Sequence, residues 1–199
     1  MRNIKKKKLH KIKKYAIENN IPIIDDNTCL LLQKIITTNC FTNILEIGTA
    51  IGYSALSMSN GINKIQTIER EYLNYQLALH FLKKLPFNIE IIWSEAFFYQ
   101  PTQNYDLIFI DAAKAQYTKL FDKYCLFLNK NGVIICDNLN FRNLANTENI
   151  SINAKKIIKK LIFFKNFLKK NTNFITTFIN IGDGLSISWR KQLPIFIKR

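Results

Sequence analysis

Apolar and polar positions along this chain alternate between two periods. Short apolar runs at Ile44–Ile47, Lys64–Ile68, Ile89–Trp93, Leu107–Ile110 and Val133–Cys136 read as buried strands. Between them, apolar residues recur at helical spacing over Tyr53–Met58, Leu73–Leu85, Tyr117–Leu128 and Lys155–Lys169. Pro86 stops the second of these helices, and Asn131-Gly132 is the expected stop of the third. Residues 4–18 carry Ile4, Leu9, Ile12, Tyr15 and Ala16 among lysines, the pattern of a basic amphipathic helix. Asp25-Asp26-Asn27-Thr28 then offers N-cap chemistry to a helix over Cys29–Thr38. Phe174–Ile181 and Leu185–Trp189 flank Gly182-Asp183-Gly184 and read as a closing hairpin.

Strands alternating with helices predict an α/β, doubly wound fold. The five parallel strands and the antiparallel C-terminal hairpin make a mainly parallel seven-stranded sheet. Residues 1–20 are expected to form the basic helix and residues 21–199 one domain. In such sheets ligands bind outside the carboxyl ends of the strands. The polar residues at those ends are Glu46 and Gly48, Glu69, Asp111, and Asp137-Asn138.

Composition adds a partner question. The chain has 29 Lys+Arg against 14 Asp+Glu, a net charge of +15. Lys, Ile, Asn and Phe are abundant together, as an A+T-rich genome would favour. The charge therefore has two readings, codon bias and a polyanionic partner. With 48% hydrophobic and 22% charged residues, a disordered chain is excluded. No apolar run reaches the ~18–20 residues of a membrane span. No apolar signal core follows the N-terminal lysines, so a cytoplasmic protein is expected. Cys29, Cys40, Cys125 and Cys136 form no CxxC pair and read as reduced thiols rather than zinc ligands.

Three constellations carry chemistry. The first is Glu46-Ile47-Gly48-Thr49-Ala50-Ile51-Gly52-Tyr53-Ser54, a strand, a glycine turn and a helix start. Glycine lets a ligand approach the backbone, and the helix amides face it. Ala50 breaks the G-x-G-x-x-G pattern, which favours a nucleoside carrying a carboxylate over a dinucleotide. The second is Glu69 after the next strand, spaced to accept from two ribose hydroxyls. Glu95, after the third strand, either accepts from an adenine amino group or is a surface carboxylate. The third pairs Phe109-Ile110-Asp111-Ala112-Ala113-Lys114 with Ile135-Cys136-Asp137-Asn138. If these two strands are neighbours, their ends lie ~5 Å apart. Asp111, Asp137 and the Asn138 amide oxygen would then converge on one hard cation, for which Mg²⁺ is suited. Lys114 is either a general base beside that cation or a solvated lysine. His10 and His80 stand near no motif.

With these residues in view, the sequence resembles the cation-dependent, S-adenosylmethionine-using O-methyltransferases of the catechol and caffeoyl-CoA type. The resemblance runs from about Pro22 to Trp189. Within the family, Asp111-Ala112-Ala113-Lys114-Ala115-Gln116-Tyr117 and Gly182-Asp183-Gly184-Leu185 are most similar to bacterial tRNA 5-hydroxyuridine methyltransferases. The resemblance implies the Rossmann-like class I methyltransferase fold. It implies cofactor contacts at Glu46, Gly48, Gly52, Ser54, Glu69, Glu95 and Asp111, with Mg²⁺ held by Asp111, Asp137 and Asn138. Lys114 and Asp111 would stand at the reacting hydroxyl. The implied partner is the tRNA anticodon loop, and the implied assembly a homodimer to which Phe163-Phe164 would contribute. Ser94-Glu95 stands where the family has Gly-Asp. Leu139-Asn140-Phe141-Arg142-Asn143 departs from a more apolar stretch. An acceptor of the catechol class would need the same metal and cofactor residues.

Overall fold

Seven strands line up in the order β3-β2-β1-β4-β5-β7-β6 in the computed structural model, which describes residues 1–140 and 151–191. They are β1 (Asn43–Ile47), β2 (Lys64–Glu69), β3 (Asn88–Trp93), β4 (Tyr105–Ile110), β5 (Leu128–Cys136), β6 (Phe174–Ile179) and β7 (Leu185–Arg190). Strands β1 to β5 pair in parallel, and β7 runs antiparallel to both β5 and β6. The order reverses between β1 and β4, the switch point where doubly wound sheets open a ligand crevice.

The central strand β4 and the second half of β5 are apolar in nearly every position because both faces are covered. Ile44, Ile65, Leu107, Phe109 and Ile135 share one core with α1 (Arg2–Glu18), α2 (Asp26–Thr38), α3 (Tyr53–Met58) and α4 (Tyr72–Leu82). The alternate residues Leu45, Ile47, Ile108, Ile110 and Ile134 pack with α5 (Tyr117–Tyr124) and α6 (Ile152–Lys170). Successive strand residues face opposite sides, so each of β1 to β5 feeds both cores. The basic helix α1 buries Ile12 and Ala16 in the first core and turns Lys6, Lys7, Lys11 and Lys14 outward. Among the described residues no helix is long and apolar enough to cross a membrane.

Two expectations need correction. The helix from Tyr117 ends at Tyr124, a 3-10 turn covers Cys125–Phe127, and Leu128 already opens β5. Asn131-Gly132 therefore lies inside a strand rather than ending a helix. The β4–β5 register shifts there, and Gly132 comes against the Asp106 carbonyl where a side chain would not fit. Phe164 is buried, with its ring 5.4 Å from that of Tyr117, so only Phe163 of the pair reaches the surface. Of the segment that departs from the family, Phe141, Arg142 and Asn143 lie outside the described residues.

Candidate functional site

Strands β2, β4 and β5 end in or run into an acidic residue, and β1 into Gly48, at the same edge of the sheet. Parallel pairing sets Ile47 beside both Ile68 and Ile110, and Ile110 beside Cys136. The next residues, Gly48, Glu69, Asp111 and Asp137, line one cleft of about 540 Å³. That volume suits a small-molecule ligand.

The glycine turn forms one wall. Gly48 adopts φ +104° and donates its N–H to the Ile68 carbonyl at 3.0 Å. A Cβ there would collide with the Asp111 carbonyl oxygen, so the turn lies directly against the β4 end. Ala50 also has a positive φ, +46°, and its N–H donates to Glu69 Oε2 at 2.8 Å. Glu69 Oε1 accepts from the Glu71 N–H at 2.8 Å. Both oxygens of the carboxylate are thereby fixed at the cleft edge. Burial raises its pKa, opposed by these backbone bonds. Glu95 stands at the same end, with Oε2 3.9 Å from the Arg70 guanidinium. Ser54 lines the cleft from the first turn of α3.

Glu46 and Gly52 do not line the cleft. Glu46 is fully buried, and its Oε2 accepts from the Thr67 hydroxyl at 2.5 Å. Thr67 in turn sits 2.6 Å from the Thr49 hydroxyl. Glu46 supports the turn from behind, through Thr67 and the Thr49 hydroxyl beyond it. Burial pushes its carboxyl up to about 8, from 4.5, against the hydrogen bonds of Ser54 and Thr67. The folded chain therefore binds a proton that the unfolded chain releases above pH 4.5. Its contribution to stability is whole below that pH and is lost as pH rises through about 8. Glu46→Gln is thus expected to melt close to the parent at pH 5 and above it at pH 9. Parallel melting curves at both pH values would refute a neutral Glu46.

The opposite wall is acidic. The Asn138 amide nitrogen donates to Asp111 Oδ1 at 2.7 Å, and the Asn138 N–H donates to Asp137 Oδ1 at 2.6 Å. Asn138 itself holds φ +60°, a conformation Asn tolerates better than most residues. Burial pushes Asp111 up to about 6, against the Asn138 bond and the Lys114 charge. Burial and the Asp111 charge push Asp137 up to about 7. Lys114 lines the cleft from a 3-10 turn, Lys114–Gln116, just past Asp111. Two carboxylates and an amide, all hard oxygen donors, form a set that fits Mg²⁺. The mutual repulsion of the two carboxylates is what a cation would relieve. Among the described residues no three His, Cys, Asp or Glu side chains gather into a larger metal cluster.

Two cleft residues escaped sequence reasoning. Asp183, read only as part of a hairpin turn, lines the cleft and raises both Asp111 and Asp137 through its charge. The Leu139 and Asn140 N–H groups donate to the Gly184 and Asp183 carbonyls at 2.9 and 2.6 Å, which ties that turn to the end of β5. Asp25 caps α2, accepting from the Asn27 and Thr28 N–H groups, and also lines the cleft. The signal for Asp183 was its position before a strand that pairs antiparallel with β5.

Known proteins share this fold. A family model described as O-methyltransferase matches residues 3–191. The chain is 34% identical to a Staphylococcus aureus protein provisionally named a caffeoyl-CoA O-methyltransferase. That crystal structure superposes with a TM-score of 0.86 and 92% of each chain covered. Tapetum-specific methyltransferase 1 of Arabidopsis thaliana is 28% identical over 186 residues, 87% of this chain and 78% of the relative. The O-methyltransferase of Bacillus cereus, solved in complex with SAH, shares the fold at 21% identity. Its TM-score is 0.79, with 93% of this chain and 91% of that one covered.

Proposed function

The chain belongs to the O-methyltransferase family, and from that premise we propose that it methylates tRNA. The methyl group would come from S-adenosylmethionine, the acceptor would be the 5-hydroxyl of 5-hydroxyuridine at the wobble position, and Mg²⁺ would assist. The product would be 5-methoxyuridine. The observation that carries this reading is the meeting of Glu69, Gly48 and the Asp111–Asp137–Asn138 set in one cleft of a chain with net charge +15.

When bound, S-adenosylmethionine supplies a sulfonium-activated methyl group and Mg²⁺ favours the ionised form of the acceptor hydroxyl. The chain's own residues hold and align the reactants. Glu69 would accept from the ribose hydroxyls, and the Gly48 turn and Ser54 would receive the amino-acid end of the cofactor. Asp111, Asp137 and Asn138 would hold the cation. Lys114, on the turn after Asp111, would take the proton from the acceptor oxygen. Fixing acceptor and methyl group in line accounts for much of the acceleration, because the encounter entropy is met on binding.

A second reading follows from the 34% identity to the S. aureus protein: a small acceptor with two neighbouring oxygens, such as a catechol. One experiment separates them. The full chain, S-adenosylmethionine and Mg²⁺ are incubated with tRNA carrying 5-hydroxyuridine or with catechol, and the nucleosides are analysed by mass spectrometry. A gain of 14 mass units (~14, one CH₂) on 5-hydroxyuridine is expected. Turnover of catechol with none on tRNA would overturn the tRNA reading and leave the family assignment standing.

A further inference from the structure

Two helices carry most of the lysines, and they stand differently toward the cleft. Helix α1 begins at the far edge of the sheet. Its Lys5 ammonium donates to the carbonyls of Ser57 and Ser59, at the end of α3 opposite the cleft. Met1 packs on Gly61, which precedes the start of β2. Nearer the cleft, Lys13 pairs with Asp26 at 2.7 Å and Lys14 with Glu18 at 3.8 Å. Helix α6 instead packs against the turn that carries Lys114. Its Lys165 ammonium donates to Asn140 Oδ1 at 3.0 Å, two residues past Asn138.

The sequence of α6, INAKKIIKKLIFFKNFLKK, has no acidic residue. It buries Leu161, Phe164 and Leu168 against the sheet. The opposite stripe is exposed and reads Lys156, Lys159, Lys160 and Phe163, at spacings of three, four and seven. These side chains share one face. Phe163 is 65% exposed and closes the C-terminal end of it. An exposed aromatic ring among like-charged lysines suits one chemistry well: phosphates on the ammonium groups and a nucleobase on the ring.

We propose that this stripe of α6 is the docking surface for RNA, with Lys156, Lys159 and Lys160 on backbone phosphates and Phe163 stacked on a base. The proposal rests on the tRNA reading above for its partner. It gives binding to α6 rather than to the lysine run of α1. A second copy of the chain is a poorer occupant. A two-fold contact through this face would set each lysine row against its own copy, whereas RNA brings the complementary charge.

The test uses the full chain and measures tRNA affinity by filter binding between 50 and 200 mM salt (~0.05–0.2 M). The triple variant Lys156→Gln/Lys159→Gln/Lys160→Gln is expected to bind at least ~10-fold more weakly at the higher salt. The slope of log affinity against log salt should fall by about 2, as three lost phosphate contacts require. Phe163→Ala should weaken binding roughly 5- to 100-fold and Phe163→Tyr should restore it, since stacking needs only an aromatic face. Lys6→Gln/Lys7→Gln/Lys11→Gln on α1 should change affinity less than about 3-fold on the same reasoning. Unchanged binding of S-adenosylhomocysteine by calorimetry shows that each variant is folded.

An α1 effect equal to or larger than the α6 effect overturns the proposal. So does a Phe163→Ala protein that keeps its tRNA affinity but changes from dimer to monomer in sedimentation, which would make the stripe a self-contact. If the parent binds tRNA through α6 yet leaves 5-hydroxyuridine unmethylated, the function fails and the surface stands. If the parent methylates tRNA and the α6 variants do so with unchanged KM, the surface fails and the function stands. A parent without affinity for tRNA overturns both.

Discussion

Asp137→Asn is expected to lower methyl transfer at least ~1000-fold while leaving the fold as stable as the parent, or more so. The substitution keeps the shape of the side chain and removes one charge. Asp137 is 3% exposed, and burial together with the Asp111 charge already pushes its pKa up to about 7. A neutral amide relieves that strain, so the variant should melt at or above the parent temperature in the absence of Mg²⁺. The same change removes half the anionic charge of the proposed cation site. Polarising the acceptor hydroxyl is worth several kcal/mol in metal-assisted reactions, and each ~1.4 kcal/mol is tenfold in rate. EDTA should reduce the parent to a similar residual rate and have little further effect on the variant. Cofactor binding, measured by calorimetry, should change far less than the rate. A variant with a tenth or more of the parent rate would remove Asp137 from the metal site, whatever its stability.

Stability and activity are expected to move apart here because the cleft concentrates charges that the fold alone would not choose. The Asp183 charge raises both Asp111 and Asp137, and the Asp111 charge raises Asp137 further. Strain of that kind marks functional sites more often than structural ones.

Much of the site was legible in the sequence because a buried parallel strand ends where its apolar run ends. Glu69, Asp111 and Asp137 are each the first acidic residue after such a run, or its last position, and all three reach the cleft. What escaped depended on contacts between distant segments. Asp183 joins the cleft only because β7 inserts between β5 and β6 and brings its leading turn beside Asp137. Glu46 shares its motif with Gly48, but strand alternation turns its side chain inward, where Oε2 meets Thr67 and Oε1 has no hydrogen-bond partner among the described residues. The Cys125–Gly132 stretch misled for a similar reason. Leu126, Phe127 and Leu128 extend the helical pattern, while the register shift at Gly132 that makes the segment a strand lies in its pairing with β4. On α6 the phase of a single residue separates buried Phe164 from exposed Phe163. Sequence periodicity allows for the face but fixes its phase only to within about one residue.

Gly48→Ala should damage both folding and cofactor binding, for one geometrical reason. At φ +104° an L-residue is strained, at a cost of about 1–3 kcal/mol. The added Cβ also meets the Asp111 carbonyl oxygen, which is backbone and cannot swing aside. Neither side has room to retreat. The Gly48 N–H is bonded to the Ile68 carbonyl at 3.0 Å, and the Asp111 N–H to the Ile47 carbonyl at 3.0 Å. Relief therefore requires β1 and β4 to part at the cleft, which displaces Asp111 and opens the turn together. A chain of this length loses roughly 2–4 °C of melting temperature per kcal/mol, so a fall of about 5–15 °C is expected. Affinity for S-adenosylhomocysteine should drop at least ~100-fold, since a misplacement of an ångström at a close backbone approach is enough to cost that much. Ala50→Gly is the matched control. Ala50 already holds φ +46°, so glycine there removes strain without adding an atom, and cofactor affinity should stay within about 3-fold of the parent. If Gly48→Ala instead melts low but binds the cofactor as the parent does, the turn serves the fold alone. The cofactor would then have to be held from the Glu69 and Glu95 end of the cleft.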